Sequence, residues 1–238
     1  MDDAGGLLLN AVHAALRAVD GELRVREYLT QHPIDRPVVV IAIGKAACAM
    51  AHGALKVLGE RVAGGLVVSK QECRPAPPAL QWVIGGHPVA DETSLAAGRA
   101  LLHTLERAPA DAVLLFLVSG GASALVEVLP AGIGLDELTQ VQTWLQASGW
   151  DIAAVNAVRS RLSCIKAGRL ARYLGGRPTR NLLISDVPGD DPAIIGSGPL
   201  IAADPAPSPG APHRVQRILD PVRAPSPPRP RDPCLATI

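Results

Sequence analysis

The stretch Phe116–Glu127 reads FLVSGGASALVE. The apolar run that begins at Val113 stops after Val118 at Ser119-Gly120-Gly121-Ala122-Ser123, and apolar residues then resume. A continuous run without polar alternation fits a strand covered on both faces. Two adjacent glycines at its end fit a turn in which the backbone visits φ > 0. Outward from this stretch the same grammar repeats. Val38–Ile43 (VVVIAI) ends at Gly44-Lys45, and shorter strand candidates lie at Leu66–Val68, Trp82–Ile84 and Leu182–Ile184. Helical patterns separate them: Lys45–Leu58, Asp91–Arg107 with Asp91 as N-cap, Leu135–Ala147 and Asp151–Leu174. Leu7, Leu8, Val12, Ala15, Leu16 and Val19 recur at helical spacing and predict an opening amphipathic helix ending at Asp20-Gly21. Strands alternating with helices predict a doubly wound, Rossmann-like α/β fold of three layers, with a largely parallel sheet.

Of the 238 residues 48% are hydrophobic, enough for one large core or two modest ones, and a formal net charge of +1 offers no basic stripe for a phosphate backbone. Nucleic acid is therefore not an expected partner. No apolar segment reaches the roughly 20 residues that cross a bilayer, and the opening MDDAGGLLLN carries acids where a secretory signal carries Lys or Arg. The four cysteines, Cys48, Cys73, Cys164 and Cys234, form no CxxC pair or metal spacing, so a reduced, cytoplasmic chain is expected. Ten of the residues from 203 to 238 are proline, with arginines among them. The chain is thus expected to divide into an α/β domain, 1–202, and a disordered Pro/Arg-rich tail, 203–238, relieved only by a helical turn at Val215–Leu219.

In open parallel sheets ligands sit beyond the carboxyl ends of the strands, and here those ends are polar and rich in glycine. SGGAS reads either as a tight, serine-capped turn or as a phosphate cradle, with Ser119, Gly120, Gly121 and Ser123 as its residues. Lys45 either starts an exposed helix, where the dipole disfavours it, or places its ammonium on a transferring phosphoryl group. A Walker A loop is excluded because Val39 and Ala46 stand where that motif needs Gly and Ser or Thr. In SDVPGDD, Asp186, Asp190 and Asp191 form either a solvated turn or, beside phosphates, a Mg²⁺ site. His87 in GGHPVAD is a turn residue or a cleft residue. On a continuous helix from Asp151, the side chains of Asn156, Arg159, Ser163 and Lys166 fall within an arc of roughly 80°, bordering the apolar stripe.

Taken in order, IGKAACAMA, GGHPVADE, LVSGGASAL, SGWDIAAVNAVRSRLSCIKAGRLA and LLISDVPGDDPAIIGSGP closely resemble the amino-terminal domain of the bacterial glycerate 2-kinase family, some of whose members are labelled hydroxypyruvate reductases. The resemblance spans about residues 5 to 204. It implies ATP-dependent phosphorylation of D-glycerate at its 2-hydroxyl with Mg²⁺, and Lys45 matches the catalytic lysine. It places SGGASAL and SDVPGDD at the cleft. The chemistry of carboxylates beside phosphates then makes Asp186 the expected metal ligand and proton acceptor, and Asp190 a second metal ligand. Asn156, Arg159, Lys166 and His87 are then the expected substrate contacts. Ser160, Arg161 and Ala167 depart from the family's usual Lys, His and Gly. The resemblance also implies a second α/β domain that closes the cleft. The chain is expected to lack it, as a truncated or frameshifted form that associates, if at all, with further copies of itself. A non-catalytic remnant that binds nucleotide or glycerate is the alternative. A hydroxypyruvate reductase fits less well, since no GxGxxG follows any strand.

Overall fold

In the computed structural model, residues 3–76, 79–202, 210–220, 222 and 234–237 are described. The chain opens with α1 (Asp3–Ala18) and α2 (Gly21–Gln31). Next come β1 (Val38–Ile43), α3 (Ala47–Leu58), β2 (Val62–Ser69), β3 (Gln81–Ile84), α4 (Glu92–Arg107), β4 (Val113–Ser119) and a single turn of helix, α5 (Ala122–Leu125). The remaining elements are α6 (Leu135–Ala147), α7 (Ile152–Arg161), β5 (Thr179–Ile184), α8 (His213–Leu219) and β6 (Cys234–Thr237).

All strands are parallel, in the order β3-β2-β1-β4-β5-β6. The order runs outward from β1 one way through β2 and β3, then restarts on its other side with β4. That reversal is the topological switch point of a doubly wound sheet, where the loops after two neighbouring strands diverge and leave a crevice.

The unbroken apolar runs are explained by burial on both faces. Val39, Ile41 and Ile43 of β1 join Leu114, Phe116 and Val118 of β4 in a core under α4. Val38, Val40 and Ala42 join Leu115 and Leu117 in a second core under α2 and α3. Truncating Phe116, which is fully buried, belongs to the class of change that costs about 3–5 kcal/mol. A third cluster gathers α6, α7 and α8 around Leu138, Val141, Leu145, Val158, Leu162, Val215 and Leu219.

Four expectations change. The first helix does stop before Gly21, but Asp20 also caps a second one, its carboxylate accepting from Leu23 N at 2.9 Å. Only Val25 and Leu29 form α2's apolar stripe, too few to stand out among its charges. The helix expected over Asp151–Leu174 ends at Arg161, and a 3-10 segment covers Arg169–Tyr173. Ser163 Oγ accepts from Ile165 N and Lys166 N, an alternative to the helical ladder, so the arc drawn through Ser163 and Lys166 does not exist as a helix face. From 203 onward the expected helical turn at Val215–Leu219 is present within α8, which buries Val215 and Leu219 against the third cluster, whereas β6, which extends the sheet, goes beyond the expectation. The other parts of this stretch, 203–209, 221, 223–233 and 238, lie outside the described residues.

The fourth change concerns the cysteines. Cys48 and Cys73 are paired in a disulfide, with Cα atoms 5.7 Å apart. Parallel register accounts for the meeting. Ile43 stands beside Val68, and Cys48 and Cys73 each follow their member of that register pair by five residues, on the same rim. Sequence separation alone hides this. Alkylation and mass spectrometry should find Cys48 and Cys73 blocked until the chain is reduced, while Cys164, which is free, is labelled without a reductant.

Candidate active site

The switch point holds the site. Beyond β1, Lys45 N donates to Gly120 O at 2.9 Å and Ala46 N to Ser119 Oγ at 3.0 Å. The two strand ends are thereby stitched together, and Ser119, buried between them, is occupied as a structural acceptor.

The glycine pair then has a specific reason. A Cβ at Gly120 would stand 1.9 Å from Asp186 Oδ2, so the missing side chain is what lets the carboxylate from beyond β5 reach the end of β4. Gly121 has φ 89°, a left-handed conformation, and a Cβ there would press on His87 Cδ2 at 3.1 Å and Lys45 Cγ at 3.3 Å. Across this gap Lys45 Nζ lies 3.5 Å from Asp186 Oδ2. Both side chains are about half exposed, 47% and 52%, so the pair is solvent-screened and contributes only about 0–1 kcal/mol to stability. Lys45, Asp186, His87, Gly120 and Gly121, drawn from four strand ends, therefore meet on one rim.

His87 is pushed below its ordinary value of 6.5, first by desolvation and then by the charges of Lys45 and Lys70. It is neutral at pH 7. The unfolded chain takes up this proton at higher pH than the folded one. The contribution is thus complete above 6.5 and is lost as pH falls through the window down to the folded value.

The helix start expected after SGGAS is a single turn, too short to sum a useful dipole toward an anion. Ser123 Oγ instead shares a hydrogen bond with Ser197 Oγ at 2.8 Å. Asp190 is exposed on its turn, with φ 52°, and Asp191 Oδ1 accepts from Ala193 N at 2.9 Å. Among the described residues no group of three or more His, Cys, Asp or Glu is placed to hold a metal ion.

Beside the rim lies a small pocket lined by Pro88, Val89, Ser123, Ala124, Gln142, Gln146, Arg159 and Lys166. Asn156, half-buried on α7, does not line it. Lys166 is committed inward: its Nζ donates to Glu127 Oε2, with the two side chains 5% and 1% exposed. Glu127 Oε1 also accepts from Val128 N at 3.0 Å. Glu127 is not among the residues expected from the sequence, though an acid closing FLVSGGASALVE after so many apolar residues is a signal of burial with a partner. Burial lowers the Arg159 guanidinium below its ordinary value, and the charge of Glu127 partly restores it.

Known proteins resemble this chain in sequence and in fold. A family described as a domain of unknown function, DUF4147, matches residues 7–223. The chain belongs to the DUF4147 family. Within 194 residues it is 36% identical to the D-glycerate 2-kinase of Thermotoga maritima, covering 81% of this chain and 46% of that protein. A glycerate 2-kinase of Pyrococcus horikoshii is also 36% identical, over 80% of this chain and 42% of its own length. A crystal structure of the Thermotoga maritima glycerate kinase superposes with a TM-score of 0.82 at 28% identity, covering 98% of this chain and 57% of that one. The chain thus spans about half the length of the curated relatives it matches. The DUF4147 match continues past residue 202 and takes in α8. Among the described residues no helix is long and apolar enough to cross a membrane.

Two measurements check the site's electrostatics. Glu127→Gln or Lys166→Met leaves one buried charge without its partner and should cost about 3–5 kcal/mol in denaturant unfolding, whereas replacing both with apolar residues should recover most of the loss. NMR titration of His87 should give a midpoint below 6.5, moving upward in Lys45→Ala.

Proposed function

We propose that this DUF4147 chain is the catalytic-rim half of a D-glycerate 2-kinase, transferring a phosphoryl group from ATP to the 2-hydroxyl. The observation that carries the reading is the approach of Lys45 Nζ to Asp186 Oδ2, 3.5 Å, over the glycine pair at the switch point. The fold and the relatives' names support it.

Phosphoryl transfer needs positioning and charge neutralisation more than covalent chemistry. Lys45, exposed and beyond β1, would hold a non-bridging phosphoryl oxygen. Asp186 Oδ2 would accept the proton from the substrate hydroxyl as the oxygen attacks. Mg²⁺ usually keeps several waters and takes one or two carboxylates together with phosphate oxygens, so Asp186, aided by Asp190, fits it without a preassembled cluster. When bound, ATP supplies the phosphoryl group and Mg²⁺ neutralises its charge. Gly120 and Gly121 would keep the backbone close to the phosphates, and neutral His87 would border the substrate without adding charge.

The test is transfer of labelled phosphate from ATP to D-glycerate, by the chain alone or fused to the carboxy-terminal half of the Thermotoga relative, with the product's phosphate position read by NMR. Lys45→Ala should depress turnover by at least about a hundredfold, the scale of one electrostatic stabiliser, with its melting curve unchanged. Asp186→Asn should weaken the dependence on Mg²⁺. Transfer to neither hydroxyl in either form overturns the reading. Saturable binding without transfer assigns the chain a binding role.

A further inference from the structure

The pocket beside the rim has features that the transfer chemistry does not use. The guanidinium of Arg159, half-buried at its wall, makes no hydrogen bond or ion pair with another described residue, although its backbone carbonyl accepts from Leu162 N at 3.2 Å. The nearby acid cannot serve it fully, because Glu127 is already bonded to Lys166 and Val128. The pocket's balance is therefore one positive charge. Gln142, 8% exposed, also lines it, and its Oε1 is buried with no hydrogen-bond partner. A buried acceptor without a donor is rare in folded proteins and costly unless a bound group completes it.

We propose that this pocket is the recognition subsite for a small hydroxy acid, its carboxylate received by Arg159 and its non-phosphorylated hydroxyl donated to Gln142 Oε1. The assignment rests on the kinase reading for the identity of the acid. The two polar groups differ in what they accept. A guanidinium offers paired N–H donors matched to a planar carboxylate. A carboxamide oxygen accepts only from a donor, so it takes an O–H and rejects a second carboxylate. Gln146, exposed and lining the same pocket, adds a further polar group, as does Ser123, two residues beyond the glycine pair in sequence. A ligand held this way would lie next to the loop that carries His87, since Pro88 and Val89 also line the pocket. Lys166 enters as a positioning residue: its bond to Glu127 keeps that carboxylate from capturing Arg159.

Calorimetric binding to the unaltered chain tests the subsite without requiring turnover. D-glycerate should bind saturably and more tightly than D-lactate, which lacks the second hydroxyl, and than glycerol, which lacks the carboxylate. Gln142→Leu should weaken D-glycerate about tenfold, the worth of one buried hydrogen bond, and leave D-lactate unchanged. Arg159→Gln should weaken both acids at least about thirtyfold, with Arg159→Lys recovering part of the loss. If either variant fails to melt cooperatively, the preference among the three ligands in the unaltered chain still decides. Equal affinity for all three, no saturable binding of D-glycerate, or affinities indifferent to both substitutions overturns the subsite. So does a dependence of ATP or inorganic phosphate binding, rather than D-glycerate binding, on Arg159 and Gln142. Loss of phosphoryl transfer with these binding differences intact refutes the kinase reading alone. Transfer that survives both substitutions refutes the subsite alone.

Discussion

The side-by-side parallel pairing of β1 and β4 is the constraint on which the molecule depends. Their registers run from Val38 beside Val113 to Ile43 beside Val118, and both strands are buried along their whole length. Because the winding reverses between them, the chain leaves β1 toward one face and β4 toward the other. The segment leaving each strand must then be short, polar and closely stitched. The bonds from Lys45 N and Ala46 N to the end of β4 meet that demand. With the backbone fixed there, the side chains of Lys45 and Asp186 are brought together by topology rather than by their own attraction, which water largely screens.

Charge is handled differently a few residues away. Glu127 and Lys166 are withdrawn from water, where a lone charge would be intolerable, and satisfy each other. The arrangement spends a cation on structure and leaves Arg159 as the cation facing the pocket. On the rim itself, His87 is held neutral by desolvation and by its lysine neighbours. Positive charge is therefore concentrated in Lys45 and Arg159, at two separate places, instead of being spread across the cleft.

Much of the fold is legible in the sequence wherever one local rule governs. The apolar runs became β1 and β4 nearly to the residue, Leu135–Ala147 became α6, and Asp91 caps α4, its Oδ1 accepting from Ser94 N and Thr93 N. The gathering of Lys45, the paired glycines and Asp186 is a consequence of strand-end placement alone. Legibility fails where a distant partner decides. Asp20 serves both as a stop and as a start, which periodicity cannot distinguish. Ser163 breaks a helix that the apolar spacing continues. Cys48 and Cys73 meet through sheet register, and Glu127 is buried through a lysine that lies beyond α7. The reason for Gly120 is also hidden, since the group occupying the space of its absent side chain comes from beyond the neighbouring strand.

The covalent bond between Cys48 and Cys73 joins the segments beyond β1 and β2. It forms a chord across the rim, anchored in the first turn of α3. Fraying of that turn cannot proceed by itself, because the 69–76 segment must be dragged along. In amide exchange the two stretches would behave as one cooperative unit, and the lysine just ahead of the helix inherits the stiffness of both.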